Sequence, residues 1–439
     1  MTKPNAMPPA GNYVVATRNI AKGDVLISLP RSLAICVPTI TASPHGKALA
    51  PLVDAHSAVA MALFLLHEKA SGPASPWAPW IAILPRSVDA PHAWSAVQRA
   101  VLAGDPVVAK IDSARTALLA EYNNQVKPWL ARQRSGLWAS APHAFSLKRF
   151  IWARFILDSR AWFLQGVRYL VPMADMFNFA PSDVQLSSAA RSTTRGATFA
   201  ASHRVSTSSV EVLAEASVTR GAEVTESYGD NDSSVYFRYH GFVPRLNPDN
   251  CVPLRLGPFS PSSHPTLFNV LTPLLQALNI PRKDSFCAYD ADSPLRQIPA
   301  WARLLALLAA ASPADAAALA ARHAAAPDAT LAALRDAAAS TPSASIAAAA
   351  AAALDAYPTS LGDDEARLAT LDAIPPAQQT KTHAREAMAL LFITQRKRIL
   401  HQLVAAGPEP GVATPSLADI VNAPRSARKR KRKRKRARN

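Results

Sequence analysis

The chain has 439 residues, 49% of them hydrophobic, and a formal net charge of +17, so it is long enough for two or three domains around a sizeable core. Eleven of the positive charges fall in the last fifteen residues, at Arg425, in the run Arg428 to Arg436 and at Arg438; strong basicity belongs to a tail, and the rest is mildly basic. Cys36, Cys251 and Cys287 are too few and too scattered for a disulfide framework or a structural zinc site, which excludes cysteine-rich zinc modules and fits a reducing compartment.

The opening MTKPNAMPPAG has no signal-like apolar stretch. No apolar run reaches membrane-spanning length without a charge or proline. A soluble, intracellular protein is expected. Residues 13–35 read YVVATRNIAKGDVLISLPRSLAI: two β-branched runs flank Lys22-Gly23-Asp24, where glycine supplies a tight turn, which predicts a hairpin. From Asp54 to Lys69, Ala58, Met61, Ala62, Leu65 and Leu66 recur at helical spacing. Residues 71–91 are rich in Pro and Trp and read as loop. Helical periodicity resumes from Ser95 to Trp129 and from Phe145 to Leu164.

Strand signals return at 167–171, 197–201, 210–214 and 223–227, with a polar Ser/Thr/Arg segment at 181–196 read as a mobile loop. Beyond residue 260 the pattern is all-helical, and 300–356 is so rich in alanine that composition favours helix without specifying contacts. The last helix, Thr382–Leu403, reads as amphipathic, with Met388, Leu391, Leu400 and Leu403 near one face. From Pro408 the chain loses periodicity and is expected to be disordered. This order of elements is not the strand–helix alternation of a doubly wound nucleotide-binding fold, and neither glycine-rich phosphate motif is present.

Three segments carry a resemblance. GNYVVATRNIAKGDVLISLP (11–30), VPMADMFNFAP (171–181) and GAEVTESYGDNDSSVYFRYHGFVP (221–244) resemble, in order and spacing, the three signature segments of SET-domain protein methyltransferases. PWAPWIAILPRSVDAPHAWS (76–95) and FIWARFILDSRAWFL (150–164) are similar to the helical insertion of the Rubisco large-subunit methyltransferase-like subfamily. The resemblance implies an α+β fold: a β-rich SET core at 11–244, with a knot-like C-terminal segment and a helical insertion at about 45–165. A helical substrate-binding domain follows at 260–403, and 408–439 is a basic tail outside the resemblance.

The implied activity is transfer of a methyl group from S-adenosyl-L-methionine to a protein lysine. This in-line displacement requires a neutral amine held against the methyl carbon and no metal. The resemblance assigns Tyr228 the central catalytic position, where its hydroxyl would orient donor and acceptor; with an ordinary phenol pKa near 10 it acts by position rather than as a strong base. Outside that motif, Tyr228 would read as a core tyrosine at a strand end. Asn178 and Phe179 match the family's Asn-His pair, which holds the cofactor's amino acid end and adenine edge. Phenylalanine here loses the histidine's side-chain hydrogen bond, and Asn178 also reads as a turn asparagine before Ala180-Pro181.

Ala10, Gly11 and Asn12 fall at the first cofactor loop, but the second glycine of that pattern is Tyr13, which puts a side chain where the backbone should approach the ligand. The residues usual ahead of this loop are missing, so an incomplete N-terminus is expected. Arg160, Asp175 and His240 match positions along the substrate channel. The plain alternatives are a helix-surface arginine, a turn-capping aspartate and a structural histidine. The tail would bind polyanions and resembles a nuclear or nucleolar import signal, against the alternatives of a merely solvated end and a cytoplasmic protein. A monomer is expected. Histidine methylation, or a degenerate SET domain that only binds protein, are the rival functions, the second kept open by Tyr13 and Phe179.

Overall fold

The computed structural model describes residues 13–164, 166–180, 201–247, 249–255, 285–289, 312–340 and 344–407, with Thr272, Gln276 and Ala302 besides. The expectations for Ala10, Gly11, Asn12, the 181–196 loop and the tail lie outside the described residues. The chain divides into two compact units, one of residues 1–249 and 370–392, the other of 250–369 and 393–439.

In the first unit, β1 (Val14–Val15), β2 (Val25–Pro30), β3 (Trp162–Leu164), β4 (Val167–Tyr169), β5 (Asn178–Phe179), β6 (Ala201–Val205), β7 (Ser209–Ala214) and β8 (Glu223–Glu226) form three small sheets. The turn expected at Gly23 is present, at φ +92°, a conformation glycine adopts without penalty. The hairpin is not. β1 pairs antiparallel with β8, Val14 opposite Val224, whereas β2 pairs with β7, Leu29 opposite Val210. The turn itself is held by β7, since Gly23 N–H donates to the Ala214 carbonyl and Ala214 N–H to that of Asp24. These long-range ladders satisfy the same backbone groups a hairpin would have used.

β8 is the centre of the first sheet, flanked by β1 and, in parallel, by β5. Its Val224, Thr225 and Glu226 are buried. Val210, Val212 and Phe177 pack with Val224 into the core of the strand region.

Helices fill the chain between β2 and β3. Gly46–Ser71 is helical throughout except at His56 (φ −151°, ψ 65°), with Pro51 inside. A straight helix would hold His45 and His67 about 33 Å apart, yet their ring centroids are 3.8 Å apart. The chain therefore doubles back near His56 into two arms. Among the described residues this is the one helix long and apolar enough to cross a membrane, but the reversal leaves no straight rod. Its second arm and the Leu147–Arg160 helix build the larger core, in which Phe64 and Phe150 are fully buried; each such ring is worth about 1.5–3 kcal/mol. The segment 71–91, expected as loop, contains the helix Ala78–Ile83.

In the second unit, β9 (Cys251–Arg255) pairs antiparallel with β10 (Ser285–Tyr289), which corrects the all-helical expectation beyond residue 260. Cys251 and Cys287 meet across this ribbon as a disulfide, Cα atoms 5.4 Å apart; the cysteines are thus less scattered in space than in sequence. Helices Pro313–Ala325, Pro327–Ser340, Ala344–Asp355 and Leu361–Asp372 follow, though Thr370–Phe392 belongs to the first unit. Ser312 opens the first of them with a reciprocal capping box to Asp315, which satisfies two otherwise orphaned amides.

The last helix, Lys381–Ala405, is not amphipathic along its length. Phe392, Ile393, Thr394, Gln395, Arg396 and Lys397 are buried in succession, so its middle is enclosed on every side. Lys397 is tolerated there because its ammonium donates to the Thr359 carbonyl at 2.6 Å and to the buried Asp364 carboxylate at 2.5 Å, as a buried charge requires.

Candidate active site

β5 and β8 run side by side, Asn178 opposite Thr225 and Phe179 opposite Glu226, and the chain leaving β8 turns back across β5. Tyr228 is thereby brought against the Phe177–Phe179 segment, and its hydroxyl donates to the Phe177 carbonyl at 2.7 Å. Its ring stacks on His240 (centroids 4.9 Å) and meets Phe179 edge-on at 5.7 Å. Burial, with the Glu226 charge next, pushes the phenol well above its ordinary range. Near neutral pH Tyr228 is therefore a protonated hydroxyl.

His240 is fixed from the other side. Its Nδ1–H donates to the Ser159 carbonyl at 3.1 Å, at the end of the Leu147–Arg160 helix. Burial pushes the ring down to about 4, so near neutrality it is an uncharged imidazole with Nε2 as its acceptor.

Asp175 lies in a 3-10 turn, Ala174–Met176, entered through Met173 at φ +70°. A methionine seldom adopts that left-handed conformation, and strain of this kind gathers at functional sites. The turn aims the carboxylate inward, where it accepts from Trp80 Nε1 at 2.9 Å and from Arg160 at 3.0 Å. Arg160 also donates to the Asp175 carbonyl at 2.8 Å, so it is not a free surface arginine. Burial nevertheless leaves the carboxyl above its usual range, the Arg160 charge and the Trp80 bond opposing it.

Asn178 uses its amide to donate to Glu223 Oε1 at 2.7 Å. Phe179 sits among Tyr228, Tyr236 and Phe242, 4.7 Å from the Tyr236 ring and 5.7 Å from Phe242. Tyr13 is 65% exposed. Five of the expected site residues, Tyr228, Phe179, His240, Asp175 and Arg160, thus belong to one linked set, with Asn178 on the adjoining strand.

Sequence reasoning missed a second buried carboxylate. Glu226, 4% exposed, faces His203 Nε2 at 3.0 Å, and the His203 ring stacks on Trp162 at 3.5 Å. Burial pushes Glu226 up, with His203 opposing and the Asp175 charge adding to the rise. An acid two residues before the motif tyrosine was the available signal. Its partners, in β3 and β6, have no spacing that would reveal them.

The comparisons with known proteins agree with this geometry. No family model matches the chain. It is 26% identical over 265 residues to mouse SET domain-containing protein 4, covering 57% of this chain and 56% of that protein. It is 32% identical over 179 residues to the Arabidopsis [fructose-bisphosphate aldolase]-lysine N-methyltransferase, covering 40% and 36%. The chain thus spans between a third and somewhat over half of these relatives' lengths. Among solved structures it superposes on the SET domain of LSMT bound to lysine and AdoHcy with a TM-score of 0.64 at 19% identity, covering 92% of this chain and 86% of that one.

These matches give the chain a fold similar to that of the SET domain of LSMT and a partial sequence likeness to SET-domain proteins. The fold is α+β, with helices inserted into and following the strands.

Proposed function

We propose that this protein is an S-adenosyl-L-methionine-dependent protein-lysine N-methyltransferase. The observation that carries the reading is the juxtaposition of a protonated phenol, a neutral imidazole and the Phe177 carbonyl at the end of β5. Names of relatives support it: the Arabidopsis and tobacco relatives are named as lysine N-methyltransferases acting on fructose-bisphosphate aldolase and on the Rubisco large subunit. Solved neighbours bound to lysine with AdoHcy, and to AdoMet, support both acceptor and cofactor.

The donor set suits a cationic sulfonium. The rings of Phe179, Tyr236 and Phe242 offer flat faces for a heterocycle or a cation. When bound, the cofactor supplies a methyl carbon whose C–S bond breaks as an amine nitrogen bonds to it, leaving S-adenosylhomocysteine. In this reading Tyr228 and the Phe177 carbonyl position the acceptor nitrogen, and such preorganised polar groups lower a barrier without reorganising. Asp175, locked by Arg160 and Trp80, and His240 line the channel. Asn178, Phe179 and the loop of Ala10, Gly11 and Asn12 hold the cofactor.

We assign residues 11–244 to the catalytic domain and 260–403 to substrate binding. The basic tail is read as a nuclear import signal able to contact polyanions, on a monomeric protein. Its composition alone supports this, and a fluorescent fusion lacking 425–439 that still enters nuclei would refute it.

The test of activity is labelled S-adenosylmethionine with a cell-lysate acceptor, followed by mass spectrometry. Methyl-lysine is expected. Methyl-histidine would transfer the reading to the related histidine-specific activity, and failure to bind S-adenosylhomocysteine would reduce the domain to a protein-binding module.

A further inference from the structure

The reversal of the Gly46–Ser71 helix brings together three side chains of metal-ligating type, away from the cleft. His45 precedes the first arm, and His67 and Glu68 lie on the second. His45 Nε2 is 3.9 Å and His67 Nδ1 3.6 Å from the same oxygen, Glu68 Oε1, and the three ligand atoms all lie within 4.8 Å of one another. Those separations are too long for hydrogen bonds. They approach the spacing of donors around tetrahedral zinc, where bonds of about 2.0–2.1 Å place neighbouring ligand atoms roughly 3.4 Å apart.

The surroundings are those of a built site. His67 and Glu68 are each 6% exposed, and a buried carboxylate is stable only with a compensating partner. Two imidazole nitrogens face one carboxylate oxygen, an arrangement that suits either an N–H on each facing nitrogen or a shared cation, and His67 Nδ1 also meets Ser71 Oγ at 3.5 Å. Trp138 closes the cluster, 4.6 Å from the His67 ring and edge-on to His45 at 6.1 Å, with Trp129 and Phe145 packed behind it. Gly46 fixes the approach of His45, because a Cβ there would stand 2.1 Å from the Thr41 carbonyl oxygen.

We propose that His45, His67 and Glu68 form a structural site for a divalent first-row transition ion. Two imidazoles and a carboxylate match zinc. The ion joins the two arms of the reversed helix, with its fourth place open at the partly exposed His45 rim. This role is independent of methyl transfer, and the expectation of a metal-free reaction is untouched by it.

The test uses full-length, tag-free protein stripped of metal by chelation. Calorimetric titration with zinc chloride near neutral pH should give one ion per chain, and saturating zinc should raise the melting midpoint by roughly 5 °C. Cobalt(II) should develop a visible absorption band of four-coordinate type. His45→Ala, at the rim, and the equal-sized Glu68→Gln should each weaken binding by roughly tenfold or more and abolish the cobalt band. If Glu68→Gln does not fold, His45→Ala alone decides. The proposal is overturned if the stripped wild type binds no zinc at roughly 100 µM, or if both variants keep its stoichiometry and affinity. It is also overturned if zinc leaves the melting midpoint where it was.

Discussion

Tyr228 donates its phenolic hydrogen to the carbonyl of Phe177 at 2.7 Å, which ties the chain after β8 to the chain entering β5. Tyr228→Phe removes that one oxygen and keeps the ring contacts with His240 and Phe179. Single-turnover methylation should fall by about 100-fold, and stability by about 1 kcal/mol for the unpaired carbonyl. A folded variant with a normal rate would mean that the phenol is only structural.

Phe179 should separate cofactor binding from catalysis. It packs on three rings. Phe179→Ala is expected to weaken S-adenosylhomocysteine binding by roughly tenfold, the loss of one aromatic face, as read by calorimetry. Tyr228→Phe should leave that affinity nearly unchanged. Equal losses in both variants would contradict the division of roles.

His240 predicts a pH dependence of stability. Its folded pKa is depressed from 6.5 to about 4, so between those values the unfolded chain binds more protons. Stability from this group is present above about pH 6.5 and is lost as pH falls toward 4, by at most about 3 kcal/mol. Asp175 and Glu226, both raised by burial, act in the opposite sense, since acid relieves the burial of their charge. The measurement is therefore the difference between wild type and His240→Asn in urea midpoint at several pH values. A difference that does not narrow on acidification sinks the assignment.

Arg160 and Asp175 form a pair in which the carboxylate is fully enclosed and the arginine side chain 22% exposed. Arg160→Met leaves the carboxylate with Trp80 alone and should destabilise the fold by about 3 kcal/mol, the low end for a broken buried pair. Adding Asp175→Asn should restore part of that loss. Chemical denaturation of both variants would reveal it, and a neutral Arg160→Met would show that the pair contributes nothing.

The legible parts of the molecule are those whose signal is local or carried by motif. Glu223–Glu226 and Ser209–Ala214 were readable as strands because β-branched residues recur between turn formers. Tyr228, Asp175, Arg160 and His240 converge because three motif segments fix them in register. The hairpin at Gly23 failed for the opposite reason: turn chemistry names a turn, not the strands that pair beside it. The same limit hid His203 and Glu226, whose contact joins separate strands. The burial of Arg396 and Lys397 was equally hidden, because their charges normally mark a solvent face, and the partners that make enclosure of Lys397 tolerable, Asp364, Thr359 and the Tyr357 ring, lie in other parts of the chain.

The position of β8 between β1 and β5 has a consequence for synthesis. Val14 pairs with Val224, more than two hundred residues later, and β5 has no partner in its sheet until Glu226 exists. Contacts so distant in sequence close late and slowly. A nascent chain that has not yet emerged past β8 must hold β1 and β5 as unpaired strands, while the helical core around Phe64 and Phe150 already has all its parts. Ribosome-bound fragments ending before residue 220 should therefore be protease-resistant in the helices and open at both strands.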